Sequence, residues 1–268
     1  MSTNTTRTIA TVTSVVGGVL MLGLVGGAAL SAVFEAGASQ LEGGVQTVAV
    51  DGVAGLRVES SAAEFSVRFA DVQEASLAVE EPVTKTWSLE VRQDRLVVES
   101  ARPFPGFCFA WCFDRGERVT LTLPEHLNDG SLDAEIEVSA GSLDAEGSFD
   151  LLDVSLSAGS VYFDGAARSL NTDVSAGRAE LAVDGATEVG FDVSAGRLIA
   201  VLTGEAPRTT DVDVSAGNLD ITLPDELYDV SSDVSAGSLD NQLETSSRSE
   251  HRISVSVSAG SATLRPGR

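Results

Sequence analysis

The sequence predicts an all-β protein, a parallel β-solenoid preceded by one N-terminal transmembrane helix. Three observations carry this. A Ser-Ala-Gly triplet recurs seven times at near-constant spacing. Apolar residues on both sides of it alternate with polar ones. A long uncharged run lies near the amino terminus.

The amino-terminal run comes first in the chain. From Thr8 to Phe34, "TIATVTSVVGGVLMLGLVGGAALSAVF", no residue is charged. A bilayer core needs about 20 mostly apolar residues, so the run is long enough to span one. Arg7 precedes it and Glu35 follows it. The positive flank predicts a cytoplasmic tail over 1–7, a signal-anchor helix over 8–34 and an extracytoplasmic remainder, single-pass in the cell membrane. Ala36-Gly37-Ala38 before Ser39 supports the rival reading, a cleaved signal peptide, although a signal h-region spans only about 7–15 residues. Residues 35–44 form a linker.

Residues 45–130 are strand-like but irregular. "VAGLRVESSAAEFSVRF", "WSLEVRQDRLVVES" and "RVTLTLPEHL" all alternate. They predict irregular first coils or a cap, since terminal repeats of solenoids are atypical. "VESSAAEFSV" reads as a degenerate copy of the corner described below.

The regular part spans 131–268. Its triplets begin at Ser139, Ser157, Ser175, Ser194, Ser215, Ser235 and Ser258, at spacings of 18, 18, 19, 21, 20 and 23. Self-similarity at about 20 residues marks a solenoid. In "DVDVSAGNLDITLPDEL", Val212, Val214 and Ala216 alternate, then Leu219, Ile221 and Leu223. That is strand periodicity with one phase slip. The slip falls at Gly217-Asn218, where glycine suits a corner or bulge. Each coil is then a strand, a glycine corner (Gly141, Gly159, Gly177, Gly196, Gly217, Gly237 or Gly260), a second strand and a looser return. On this reading the alanine of the triplet faces the core.

The pattern "VTLTLPEHL...LDAEIEVSAGSLDAEGSFDLLDVSLSAGSVYFDG", behind an apolar amino-terminal segment, resembles the bacterial putative-adhesin family of β-strand repeats, a domain of unknown function. The resemblance covers roughly residues 45–265. It implies a β-solenoid, usually right-handed, in the cell envelope. Relatives are labelled adhesins by inference, and some are tied to envelope-stress responses. Family corners often continue with Asp after the glycine, where this chain has Ser142, Ser160, Arg178, Arg197, Asn218, Ser238 and Ser261. The resemblance carries over no catalytic residue.

The formal charge of -23, from 17 basic and 40 acidic residues, repels phosphate backbones and argues against nucleic-acid binding. It favours cations and cationic peptides. Two residues before each triplet the side chain should point outward, and Asp173, Asp192, Asp213 and Asp233 fill four such positions. In neighbouring coils they would repel one another, an effect that a bound cation or plain hydration could relieve. The calcium-roll pattern GGxGxD is absent. Charged residues also keep exposed strands from pairing with strangers.

One stretch breaks the repeat. "PFPGFCFAWCF" holds Phe104, Phe107, Phe109, Trp111 and Phe113, five of the fourteen aromatics, and the two cysteines, Cys108 and Cys112. Outside the membrane a disulfide between them is an open option. The aromatics are either a plug on the first coil or a tip that touches lipid or a partner. One cysteine pair with His126 and His251 far off in sequence does not make a zinc site. No nucleophile–base signature, phosphate-cradling loop or cofactor motif appears.

The sequence therefore predicts a non-enzymatic envelope protein, without cofactor or metal, that presents a scaffold or adhesin-like surface to an envelope protein, peptide or cell-wall ligand. The alternative is an envelope-stress sensor whose acidic ectodomain binds cationic peptides or a membrane partner. A polysaccharide-acting β-helix enzyme is the remote alternative.

Overall fold

Val212 and Val214 are buried while Asp211 and Asp213 face solvent, and this period of two recurs along the chain. The computed structural model describes residues 44–80, 86–101 and 117–267, and the protein is all-β. The tail 1–7, the membrane helix 8–34, all of the linker before Gly44, and the aromatic stretch with Cys108 and Cys112 lie outside the described residues. Among the described residues no helix is long and apolar enough to cross a membrane.

Six strands precede the repeats: β1 (Gly44–Ala49), β2 (Gly55–Ala70), β3 (Glu74–Val79), β4 (Thr86–Arg92), β5 (Arg95–Ala101) and β6 (Glu117–Pro124). Two long bent strands follow, β7 (Asp133–Leu156) and β8 (Ser160–Val174). Then come β9 (Arg178–Asp184), β10 (Glu188–Val193), β11 (Arg197–Thr203), β12 (Thr209–Val214) and β13 (Asn218–Leu223). The chain finishes with β14 (Asp229–Val234), β15 (Ser238–Asn241), β16 (Arg252–Val257) and β17 (Ser261–Pro266).

The repeats form two parallel ladders in register. The arms before the corners pair as β8–β10–β12–β16, with Val174, Val193, Val214 and Val257 in one row. The arms after the corners pair as β8–β9–β11–β13–β17, with Leu181, Ala200, Ile221 and Leu264 in one row. All eight of these row residues are buried. Equivalent side chains therefore pack on one another, and the letters of the repeat must recur.

The ladder runs on through the corner. Ser215 N donates to Val193 O at 3.0 Å, Ala216 N to Ser194 O at 2.8 Å, and Asn218 N to Gly196 O at 2.9 Å. Backbone groups at the bend are thus paired, which the burial of so many turns requires. The corner also corrects the placement of the triplet alanine. Ala158, Ala176, Ala195, Ala216, Ala236 and Ala259 are exposed. The alternation breaks at the valine before the triplet, so Ser and Ala both lie on the outside of the bend. The inward position belongs to glycine. A Cβ on Gly217 would lie 2.6 Å from the carbonyl oxygen of Gly196, so close backbone approach excludes any other residue.

A second correction concerns order. The last arms do not stack on the outside. β16 lies between β12 and β14, and β17 lies between β13 and β15. The chain steps outward to β14–β15, then returns to fill the layer beneath. Asp213 therefore neighbours Ser256, and Asp233 lies beyond Ser256 rather than beside Asp213.

At the other end, β2 runs parallel to β7 with Leu56 beside Ala134, Val58 beside Ile136 and Phe65 beside Leu143. The "VESSAAEFSV" segment passes the first corner with a register shift between Ser60 and Ala63, which sets Ala63 beside Gly141. β3 and β4 bring antiparallel pairing, to β6 and β5 respectively. Phe69, Phe149 and Phe163 follow one another in the core at centroid distances of 6.1 and 5.9 Å, and Trp87 packs on Phe65 at 5.7 Å. These separations suit tilted aromatic pairs.

Candidate functional site

The outer face of the arms before the corners is where acidic residues concentrate. The triplet signature marks one row: Ser155, Asp173, Asp192, Asp213 and Ser256 stand side by side. A parallel row lies two residues upstream: Asp153, Asn171, Gly190, Asp211 and Ser254. Sequence reasoning missed this second row because it shares no common letter. The period-two rule applied once more would have placed it.

Between and along the rows runs a groove of about 510 Å³. Gly190 opens its middle, since a Cβ there would sit 2.7 Å from Asn171 Oδ1. Asp153, Asp173, Asp192, Asp211 and Asp213 line it, together with serine and asparagine, and no basic residue does. Arg57 and Arg95 pair with Glu135, Arg168 with Asp150 and Arg265 with Asp220.

The crowding of like charge shows in acidity. Partial burial raises the pKa of Asp192, and the negative charges of Asp173 and Asp213 on either side raise it further. Asp153 is raised for the same reasons, burial first, then Glu135 and Asp173. Both carboxylates would gain from a positive neighbour. Among the described residues no group of three or more His, Cys, Asp or Glu side chains is arranged to hold a metal ion. The groove thus offers a spread of negative charge rather than a chelating pocket.

No protein-family model matches the sequence, and no curated protein matches it. Solved structures of low similarity do. A putative cell adhesion protein from Clostridium sporogenes is 11% identical with a TM-score of 0.38, over 84% of this chain and 98% of that one. A putative adhesin from Bacteroides fragilis is 11% identical with a TM-score of 0.43, over 83% and 96%. A putative adhesin from Parabacteroides merdae is 11% identical with a TM-score of 0.36, over 84% and 96%. The functional reading rests on this chain's own residues.

The other residues singled out from sequence fall as follows. The corner glycines Gly141, Gly159, Gly177, Gly196, Gly217 and Gly260 pack on backbone of the next layer, and Gly237 packs on Gly260 at the edge. Asp173, Asp192 and Asp213 come together on the groove, and Asp233 stays outside it. His251 is structural: its Nδ1 lies 2.9 Å from Pro207 O and its ring packs on Tyr228 at 5.9 Å. His126 is exposed on a single helical turn over Glu125–Leu127.

Proposed function

We propose that this chain is a non-enzymatic scaffold of the cell envelope whose working surface is the acidic groove, taking a cationic peptide or a cationic segment of an envelope protein. In this reading the two ladders are the coils of a parallel β-solenoid, tethered by residues 8–34 with the β domain outside the membrane. The observation that carries it is the set of five aspartates along one groove with no basic side chain among them. A rigid sheet face costs little entropy to organise on binding.

The test is binding of an oligolysine peptide to the full chain in detergent. Affinity should weaken steeply as salt shortens the Debye length from about 30 Å at 0.01 M to about 8 Å at 0.15 M. Asp192→Asn with Asp211→Asn should weaken it about tenfold, as loss of two charge contacts would. Equal binding by that double variant sinks the reading. Mass spectrometry of the amino terminus separates the anchor from a chain that begins at Ser39.

The adhesin-like reading differs in its ligand. Retention of the chain on purified cell wall, unchanged by the same double variant, would favour it.

A further inference from the structure

We infer a second site, of opposite charge, where the reversed last coil meets its neighbours: a small anion-binding depression for a single phosphate-type oxyanion. Twelve arginines fall among the described residues, and eight of them are ion-paired to carboxylates. Among the described residues Arg197, Arg208, Arg248 and Arg252 make no ion pair. Three of these four, Arg208, Arg248 and Arg252, line one depression of about 510 Å³. All three are exposed, so their guanidinium donors are open to an anion from solvent.

The reversal of the last coil builds the site. Arg208 leads into β12, and Arg252 opens β16, whose backbone N donates to Arg208 O at 2.8 Å. Arg252 lies in register between Thr209 and Asp229. Had β14 stacked directly on β12, Arg252 would not reach Arg208. Arg248 comes from the return loop between β15 and β16. That loop is fastened: Ser246 N donates to Tyr228 O at 2.8 Å, Ser249 Oγ to Leu227 O at 2.5 Å, and His251 N to Ser249 Oγ at 3.0 Å. The three arginine backbones are thus set before any ligand arrives, which lowers the cost of binding.

The lining also names the ligand class. Guanidinium forks match tetrahedral oxyanions, and Ser247 and Ser249 add hydroxyl donors. Asp229 and Glu250 share the depression, leaving a net excess of one positive charge. That favours one compact anion. An extended polyanion would meet the acidic remainder of the surface and be repelled. The ligand is free phosphate or the terminal phosphate of a small phosphomonoester.

The test titrates the full chain in parallel with inorganic phosphate and with glycerol phosphate at constant ionic strength, reading ³¹P line broadening and the melting midpoint. Saturable binding of either is expected, and the tighter of the two identifies the source. Arg208→Gln and Arg248→Gln should each weaken it about tenfold, while Asp229→Asn tightens it. Arg197→Gln, which removes an unpaired arginine outside the depression, should leave it unchanged. Each variant's ligand-free melting midpoint checks its fold, and Arg248→Gln on the loop stands in if Arg208→Gln unfolds. Non-saturable behaviour, wild-type affinity in both the Arg208→Gln and Arg248→Gln variants, or an equal loss with Arg197→Gln overturns the site.

Discussion

Gly159 illustrates how little room a single corner leaves. Its φ is +111°, and a Cβ on it would collide with the carbonyl oxygen of Gly141. Gly52 also has a positive φ, +74°, yet a Cβ there meets nothing within 4 Å. Gly159→Ala should therefore cost about 2–4 kcal/mol, strain and clash together. Gly52→Ala should cost about 1 kcal/mol, strain alone. Denaturant unfolding of both variants checks the ratio. Asp192 gives the second residue-scale prediction. Its folded pKa is raised, so its contribution to stability is greatest in acid and is lost as pH rises through the raised value. Asp192→Asn should then stabilise the chain at neutral pH, by no more than about 0.5 kcal/mol because the side chain is exposed and screened. The gain should vanish below the ordinary carboxylate pKa of about 3.9. A gain that grows in acid would contradict the electrostatic origin. Asp173, Asp192 and Asp213 are exposed, as alternation along a strand requires. Sequence periodicity misplaced Ala216 because alternation holds along a strand and fails at a bend.

At the scale of elements, the order of the last four strands is decided by which arm deserves burial. The inward positions of β16 are Ile253, Val255 and Val257, and those of β14 are Val230, Ser232 and Val234. Stacked in chain order, Ser232 would lie between two valines and leave its hydroxyl in an apolar layer. The reversal puts Val255 between Val212 and Ser232 instead. β14, the more polar of the two, becomes the edge, a role that suits polar and charged strands. Val234 is 38% exposed there, while Ile253 is 1% exposed. Ile253→Ala should cost about 2–4 kcal/mol and Val234→Ala under about 1 kcal/mol. Native-state hydrogen exchange should protect the amides of β16 more strongly than those of β14. Stronger protection of β14 than of β16 would mean chain-order stacking. Read alone, β14 carries Ser232 where β16 carries Val255. The letters show which strand is more polar, and only the pairing shows which one takes the inner layer.

Over the whole molecule, charge sets the response to salt. The ion pairs are exposed, such as Arg118 with Glu64 and Glu80, and pairs of this kind contribute about 0–1 kcal/mol each. Against them stands a formal charge of -23, whose self-repulsion opposes the compact state. Raising salt from about 0.01 M to about 0.15 M should raise the melting midpoint, because screening removes more repulsion than attraction. A fall in the midpoint would show that ion pairs dominate.

The all-β class was legible in the residues alone, because period-two alternation is a local fact of the chain. Only the tertiary structure decided that β16 lies inside β14, that a second acidic row completes the groove, and that Arg208, Arg248 and Arg252 converge. Those depend on which surfaces compete for the same layer, and that competition has no local signature.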